Sequence, residues 1–307
     1  MGNKETLQSY NNKLNANNTS LNGILDIINE LPEASGEINL QDKTVEITDN
    51  GTQTIKADSG YDGLNEVEVI TNVASSGGGG ETPEKGIVIR ECDTNGYATK
   101  IELVGFTSLP DYALGCYSTH SFSEILTENL TEVILNEGLT KVGQACFANC
   151  RKLIKVNFPT TIKALPSNMF YSCTSLKIKT LPDTITSLNY GTFRYCELYQ
   201  LSFNNVTKIT ASNMTQSPFE RGRLYAIWIG SAIATGGLGH YALYCDGGYK
   251  LKKIFINLPR ATVEAMANYS VAFSDNQVTT DIIICNDDEG FMTKEQFDAI
   301  DWSTYTE

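Results

Sequence analysis

The amino-acid sequence points to a mixed-class repeat solenoid with parallel β-strands, preceded by an N-terminal coiled-coil helix and a small β module. The main evidence is a recurring frame in residues 130–150, 153–173 and 176–196: a Leu, a short β-like run, a break, an apolar pair, then Phe-x-x-Cys. Phe147, Phe170 and Phe193 stand 23 residues apart, and so do Cys150, Cys173 and Cys196. A fixed period of this size marks a solenoid in which each unit is one turn. The other evidence is a heptad seam before residue 32 and a Gly run at 77–80 that separates an N-terminal part from the repeats.

Residues 1–34 read as a coiled-coil oligomerisation helix. Leu7, Leu14, Leu21 and Ile28 recur every seven residues, and Tyr10, Asn17, Ile24 and Leu31 recur three places later. These are the a and d positions of about four heptads. Asn17 at a d position specifies register at some cost in stability, and Pro32 stops the pattern. Context suggests a homotrimer. The alternative is an amphipathic helix packed on its own chain.

Residues 35–74 read as a small β module. Alternation over 44–48, the Asp49-Asn50-Gly51 turn, a return over 54–57 and a third strand over 67–71 describe it. This stretch resembles a module of tail and other structural proteins of phages and prophages of Gram-positive gut bacteria. Leu40, Gln41, Lys43, Thr44, Val45, Asp58, Gly60 to Leu64 and Val67 to Val69 carry the resemblance, which implies a virion context. Residues 75–85 are a Gly-rich linker that would let the head reorient relative to its base.

Residues 86–280 form the solenoid. A hairpin over 86–106, turning at Asp93 to Gly96, opens it and shields the first rung. A divergent unit ends at Cys116, three regular units follow, and further units close near Phe219 and at Cys245. Leu251, Ile254 and Ile256 supply another strand. These spacings resemble the BspA-like branch of leucine-rich repeats over roughly residues 100–260, most clearly in residues 173–196. That resemblance implies binding rather than catalysis, in bacterial surface adhesins or phage-encoded proteins. One position departs: the inward slot of Val133 and Val156 falls on Lys179, with Ile178 outward. A buried unpaired Lys is costly, so either a bulge returns Ile178 to the core or Lys179 reaches solvent along its stem. Residues 281–307 read as a strand and helix cap, with a capping box at Thr293 to Gln296 and Phe297 and Ile300 facing inward.

Composition narrows the function classes. The formal charge is −13, which argues against nucleic-acid or anionic-membrane partners. No apolar run is long enough to span a membrane, and no signal peptide is expected from the polar N-terminus. Eight Cys are present, three at equivalent repeat positions, as small buried residues would be. Disulfides are the second reading and a metal site the third. No nucleophile elbow, P-loop, dinucleotide fingerprint or HExxH occurs, so no enzyme activity and no cofactor are expected. His120 and His240 read as loop residues, and Asp287-Asp288-Glu289 as a solvated turn or a cation site.

The expected site is the strand face. In Leu-x-x-Val-x-Leu strands the intervening side chains point outward. Glu132, Ile134, Lys155, Asn157, Gln200, Ser202, Trp228, Lys253 and Phe255 are the partner-binding candidates. Aromatic anchors ringed by polar groups suit protein or glycan recognition. The alternative is that later loops cover them. Insertions at 117–128 and 211–223 are further recognition candidates. The expected function is receptor binding by a phage tail protein, with a host-cell receptor and other tail proteins as partners. The alternatives are a bacterial cell-surface adhesin or a tail-associated glycan-degrading enzyme.

Overall fold

The computed structural model describes the backbone strands at 36–40, 43–47, 53–57 and 66–70, and residues 85–93, 98–115, 128–211, 213–235, 237–245, 251–266, 272 and 282–305. The heptad positions Leu7, Tyr10, Leu14, Asn17, Leu21, Ile24, Ile28 and Leu31 lie outside the described residues.

Alternation builds the principal wall of the solenoid. β1 (Gly36–Leu40), β2 (Lys43–Ile47), β3 (Gln53–Ala57) and β4 (Glu66–Ile70) form an antiparallel meander. β1 is a strand that the sequence pattern did not reveal. β4 then lies parallel to β5 (Gly86–Cys92), with Val69 opposite Ile87. This pairing joins the β module to the head, where the Gly-rich linker had suggested independent reorientation. β5 and β6 (Ala98–Val104) make an antiparallel hairpin. Parallel rungs follow at β8 (Glu132–Ile134) and β10 (Lys155–Asn157). Ile101, Val133 and Val156 stand in register and are buried, while their neighbours along each strand face outward.

Shorter strands make the opposite wall: β7 (Ser108–Leu109) with β9 (Lys141–Val142), then β11 (Ala164–Leu165), β12 (Ser187–Leu188) and β14 (Lys208–Ile209). Each contributes a buried Leu, Val or Ile to the core.

The Phe-x-x-Cys corners connect the walls. Phe147, Phe170, Phe193 and Phe219 stack along the axis with centroid spacings of 5.8, 5.6 and 6.1 Å and nearly parallel planes. Each corner thiol donates to a carbonyl of the preceding rung: Cys150 to Leu114 (3.2 Å), Cys173 to Phe147 (3.1 Å) and Cys196 to Phe170 (2.9 Å). The described cysteines with resolved side chains, Cys146, Cys150, Cys173, Cys196, Cys245 and Cys285, are free and buried. The tight corner requires left-handed backbone at Ala145, Asn168 and Gly191, and again at Asn149, Ser172 and Tyr195. That conformation costs L-residues roughly 1 kcal/mol each. Rung-to-rung bonds hold it, as in Ala145 N–H to Ser167 O (2.9 Å) and Asn149 N–H to Tyr171 O (2.7 Å).

The principal wall breaks at residues 177–180. Lys179 occupies the inward slot of this rung and cannot remain there as a desolvated cation. It turns out to solvent, with its ammonium 3.9 Å from Asp301. Ile178 is half-buried and packs against the core in its place. Regular pairing gives way to one bridge, Thr180 to Ser202. Beyond the break, a second parallel sheet comprises β13 (Gln200–Phe203), β15 (Ala226–Ile229), β16 (Lys253–Ile256) and β17 (Ile283–Cys285). Short helices described at this end are α1 (Arg260–Glu264) and α2 (Lys294–Asp298).

Candidate functional site

The strand face divides into an open half and a covered half. On β6, β8 and β10 the residues alternating with the core line the open half. Glu132 and Ile134 are half-buried, and Lys155 and Asn157 are exposed. Charges alternate across the rungs here. The Glu132 carboxylate lies 3.5 Å from the Lys100 ammonium and 3.1 Å from that of Lys155, and Arg90 Nε donates to Glu102 at 2.7 Å. Partial burial pushes the Glu132 carboxyl up, but the Lys155 hydrogen bond and the two cations outweigh it and hold it below the usual carboxylate range.

The other half is not a free surface, contrary to the expectation for Gln200, Ser202, Trp228 and Phe255. All four are buried, at 3% exposure or less. The chain from Phe291 onward folds back across β13, β15 and β16. Thr293 starts α2 with both bonds of a capping box, Thr293 Oγ accepting from Gln296 N–H and Gln296 Oε1 accepting from Thr293 N–H. Phe297 and Trp302 from this segment pack with Ala226, Trp228 and Phe255, with Phe255 5.8 Å from the Phe297 ring and 6.2 Å from that of Trp302. Polar side chains fix the cover. Ser202 Oγ donates to Asp298 Oδ1 (2.6 Å), Trp228 Nε1 to Met292 O (3.0 Å), and Trp302 N–H to Gln200 Oε1 (3.3 Å). Lys253, at the start of β16, stays half-exposed.

A signal for this cover exists in the sequence. Parallel strands buried on both faces read as continuous apolar runs. Residues 226–229 (AIWI) and 254–256 (IFI) are such runs, whereas 155–157 (KVN) alternates. The apolar Phe291, Met292, Phe297, Ile300 and Trp302 needed a surface to cover, and Trp228 and Phe255 provide it.

Where the open and covered halves meet, a cleft of about 230 Å³ opens beside the broken rung. Leu176, Ile178 and Leu198 supply apolar lining, Lys177, Lys179, Glu197, Tyr199 and Gln200 polar lining, and Asp301 and Ser303 the cap side. Glu197 pairs with Arg223 at 3.6 Å. The Asp301 carboxylate accepts from Ser303 Oγ (2.7 Å) and Ser303 N–H (3.2 Å). These bonds, with the charges of Lys179 and Lys177, hold the Asp301 carboxyl below its usual range. Gln200 Oε1 is taken by Trp302 N–H, while its buried Nε2 has no acceptor.

The remaining candidates are structural. Asp287 and Asp288 hold α1: Asp287 Oδ1 accepts from Arg260 N–H (2.8 Å), and the Asp288 carboxylate pairs with the Arg260 guanidinium and accepts from Cys285 N–H (2.7 Å). The run is a turn with Asp287 and Glu289 exposed, as the solvated-turn reading expects, and its two Asp side chains are engaged with Arg260 and Cys285. His240 is exposed, and His120 lies outside the described residues. The described residues hold no cluster of His, Cys, Asp or Glu able to bind a metal, and no helix among them is long and apolar enough to cross a membrane. Much of the 211–223 insertion belongs to the fold: Phe219 joins the aromatic stack, and Ser217 Oγ donates to Tyr244 O at 2.7 Å. Residues 117–127 lie outside the described residues.

Comparison with known proteins identifies the repeats. Residues 109–218 match the family model described as BspA type leucine rich repeat region, in six copies, and form a BspA-type region. No curated protein matches the chain. Similar solved structures include the pneumococcal vaccine antigen PcpA, with 19% identity and a TM-score of 0.40 over 62% of this chain and 42% of that one. Another is a leucine rich cell surface protein from Faecalibacterium prausnitzii, at 17% identity and a TM-score of 0.30, covering 75% of this chain and 42% of that one. A third is a leucine-rich repeat protein from Bacteroides ovatus, at 16% identity and a TM-score of 0.31, covering 59% and 47%. The matches span less than half of each of these longer chains.

Proposed function

We propose that this chain is a non-enzymatic binding protein of the BspA-like adhesin type, presenting the open strand face at a bacterial cell surface. The observation that carries this reading is the division of the face. The C-terminal cover closes the apolar half, whereas the polar positions Glu132, Lys155 and Asn157, with Ile134 among them, remain accessible. The BspA-type region supports it. Glu102 and Glu132 each lie in ion pairs, an arrangement suited to a complementary partner surface rather than to proton transfer. Trimerisation through the N-terminal heptads would multiply weak contacts into avidity.

A second reading places the same head on a phage tail. The resemblance of residues 40–69 favours it, and the pairing of β4 with β5 would tie such a module rigidly to the head. Immunodetection on purified particles against cell-envelope fractions separates the two.

The test of the binding reading is adhesion of the full chain to bacterial and host cells. Lys155→Glu with Asn157→Arg is expected to lower adhesion about tenfold or more, since one reversed and one added charge oppose a complementary partner. Lys208→Glu, exposed on β14, is the control and should bind normally. Unchanged adhesion by the double variant rules out this face as the contact surface.

A further inference from the structure

The cleft beside the broken rung has the chemistry of a small-ligand site, distinct from a broad macromolecular surface. We propose that it binds a single carboxylate-bearing sugar residue. This deepens the binding reading and rests on it only for biological context.

Charge accounting selects the anion. Of the four ionic groups lining the cleft, Glu197 is paired with Arg223 at 3.6 Å, and Asp301 faces Lys179 at 3.9 Å while accepting two bonds from Ser303. Lys177, whose charge also acts on Asp301, is the remaining group. It is exposed and has no ion pair within 4.0 Å among the described residues. A ligand carboxylate entering here meets a solvated ammonium with no carboxylate within 4.0 Å among the described residues, and charge-assisted bonds of this kind are stronger than neutral ones.

Lining chemistry selects the sugar. Leu176, Ile178 and Leu198 offer apolar contact and Tyr199 an aromatic ring, to which the apolar face of a pyranose is complementary. Polar groups converge on the same space, as small-ligand sites require. Gln200 contributes a buried amide whose Nε2 has no acceptor within the protein. A volume of about 230 Å³ suits one sugar ring rather than an extended chain.

The position also has a structural cause. Lys179 interrupts the parallel ladder, which opens the gap, and the C-terminal cover borders it with Asp301 and Ser303. The cleft is therefore built by an irregular repeat.

The experiment is calorimetric and ligand-observed NMR titration of the full chain with glucuronic acid, N-acetylneuraminic acid, glucose and inorganic phosphate. At least one acidic sugar is expected to bind one-to-one, at least tenfold tighter than glucose, as a bond to a charged group implies. Lys177→Gln, a change at an exposed position that leaves folding intact, is expected to remove that preference, with affinity falling about tenfold. Three results overturn the proposal: no acidic sugar binds, glucose binds as tightly as the acids, or Lys177→Gln changes nothing. Phosphate binding as tightly as the sugars overturns the sugar assignment. Cell adhesion of Lys155→Glu/Asn157→Arg is measured in parallel. Sugar binding without cell adhesion sinks the surface reading alone, and adhesion without sugar binding sinks the cleft alone.

Discussion

Ser202 and Asp298, 96 residues apart, share a hydrogen bond of 2.6 Å in which the Ser202 hydroxyl donates to the carboxylate. The bond pins α2 to the outward face of β13 and turns what would be a solvent surface into an interior one. A hydrogen bond to a charged acceptor contributes roughly 1.5–3 kcal/mol. Asp298→Ala is therefore expected to loosen the cover before the solenoid melts. Amide exchange in residues 294–305 should accelerate while the Phe147 to Phe193 rungs stay protected. Exchange unchanged in both regions would show the bond to be dispensable.

Trp228 and Phe255 serve the fold. Replacing either with Ala removes a large side chain from the contact with Phe297 and Trp302. The expected cost is about 3–5 kcal/mol, read from chemical denaturation. Adhesion per folded molecule should be unaltered. Lost adhesion with full stability would return these residues to the binding surface.

The buried thiols predict alkaline sensitivity. Burial pushes Cys173 and Cys196 well above the ordinary thiol range, and it pushes Cys285 up to about 11, partly offset by Arg260. A raised pKa means that the folded chain keeps a proton the unfolded chain releases. The stabilisation is thus complete below the ordinary thiol pKa near 9 and falls as pH rises toward the folded value. Each thiol contributes a slope of about 1.4 kcal/mol per pH unit in that window. Urea midpoints measured from pH 8 to 11 should fall above pH 9, and Cys285→Ala should make the fall shallower by the share of that one thiol. A flat wild-type profile contradicts the idea.

Gly230 closes β15 against the preceding rung. A Cβ there would lie 2.1 Å from the Asn204 carbonyl oxygen, a backbone atom that cannot swing away. Gly230→Ala is expected to destabilise by about 1–3 kcal/mol, as overpacking does, with a lower thermal midpoint. A midpoint equal to wild type would mean that the rungs slide apart freely.

Much of the fold was legible because its determinants are periodic and local. Phe147, Phe170 and Phe193 recur at one interval, so their stacking, the buried thiols beside them and the parallel rungs could be read from spacing. The capping box at Thr293 lies within four residues and needed no tertiary information. The site was legible only where cover is absent. Glu132, Lys155 and Asn157 face outward because strand alternation puts them there. Gln200, Ser202, Trp228 and Phe255 obey the same alternation, but a segment about a hundred residues further along the chain for Gln200 and Ser202 lies over them.

The sequence by itself determined the repeat, the corner ladder and the direction of the strand side chains in the regular rungs, since these follow from chain geometry within one or two turns. Tertiary structure alone decided which outward side chains meet solvent. It also decided that Lys179 would break the ladder rather than bend it, and that Asp301 and Ser303 of the C-terminal cover would border a cleft there. Those outcomes depend on which distant surfaces bury each other, and burial is a property of pairs of segments that no single stretch of sequence contains.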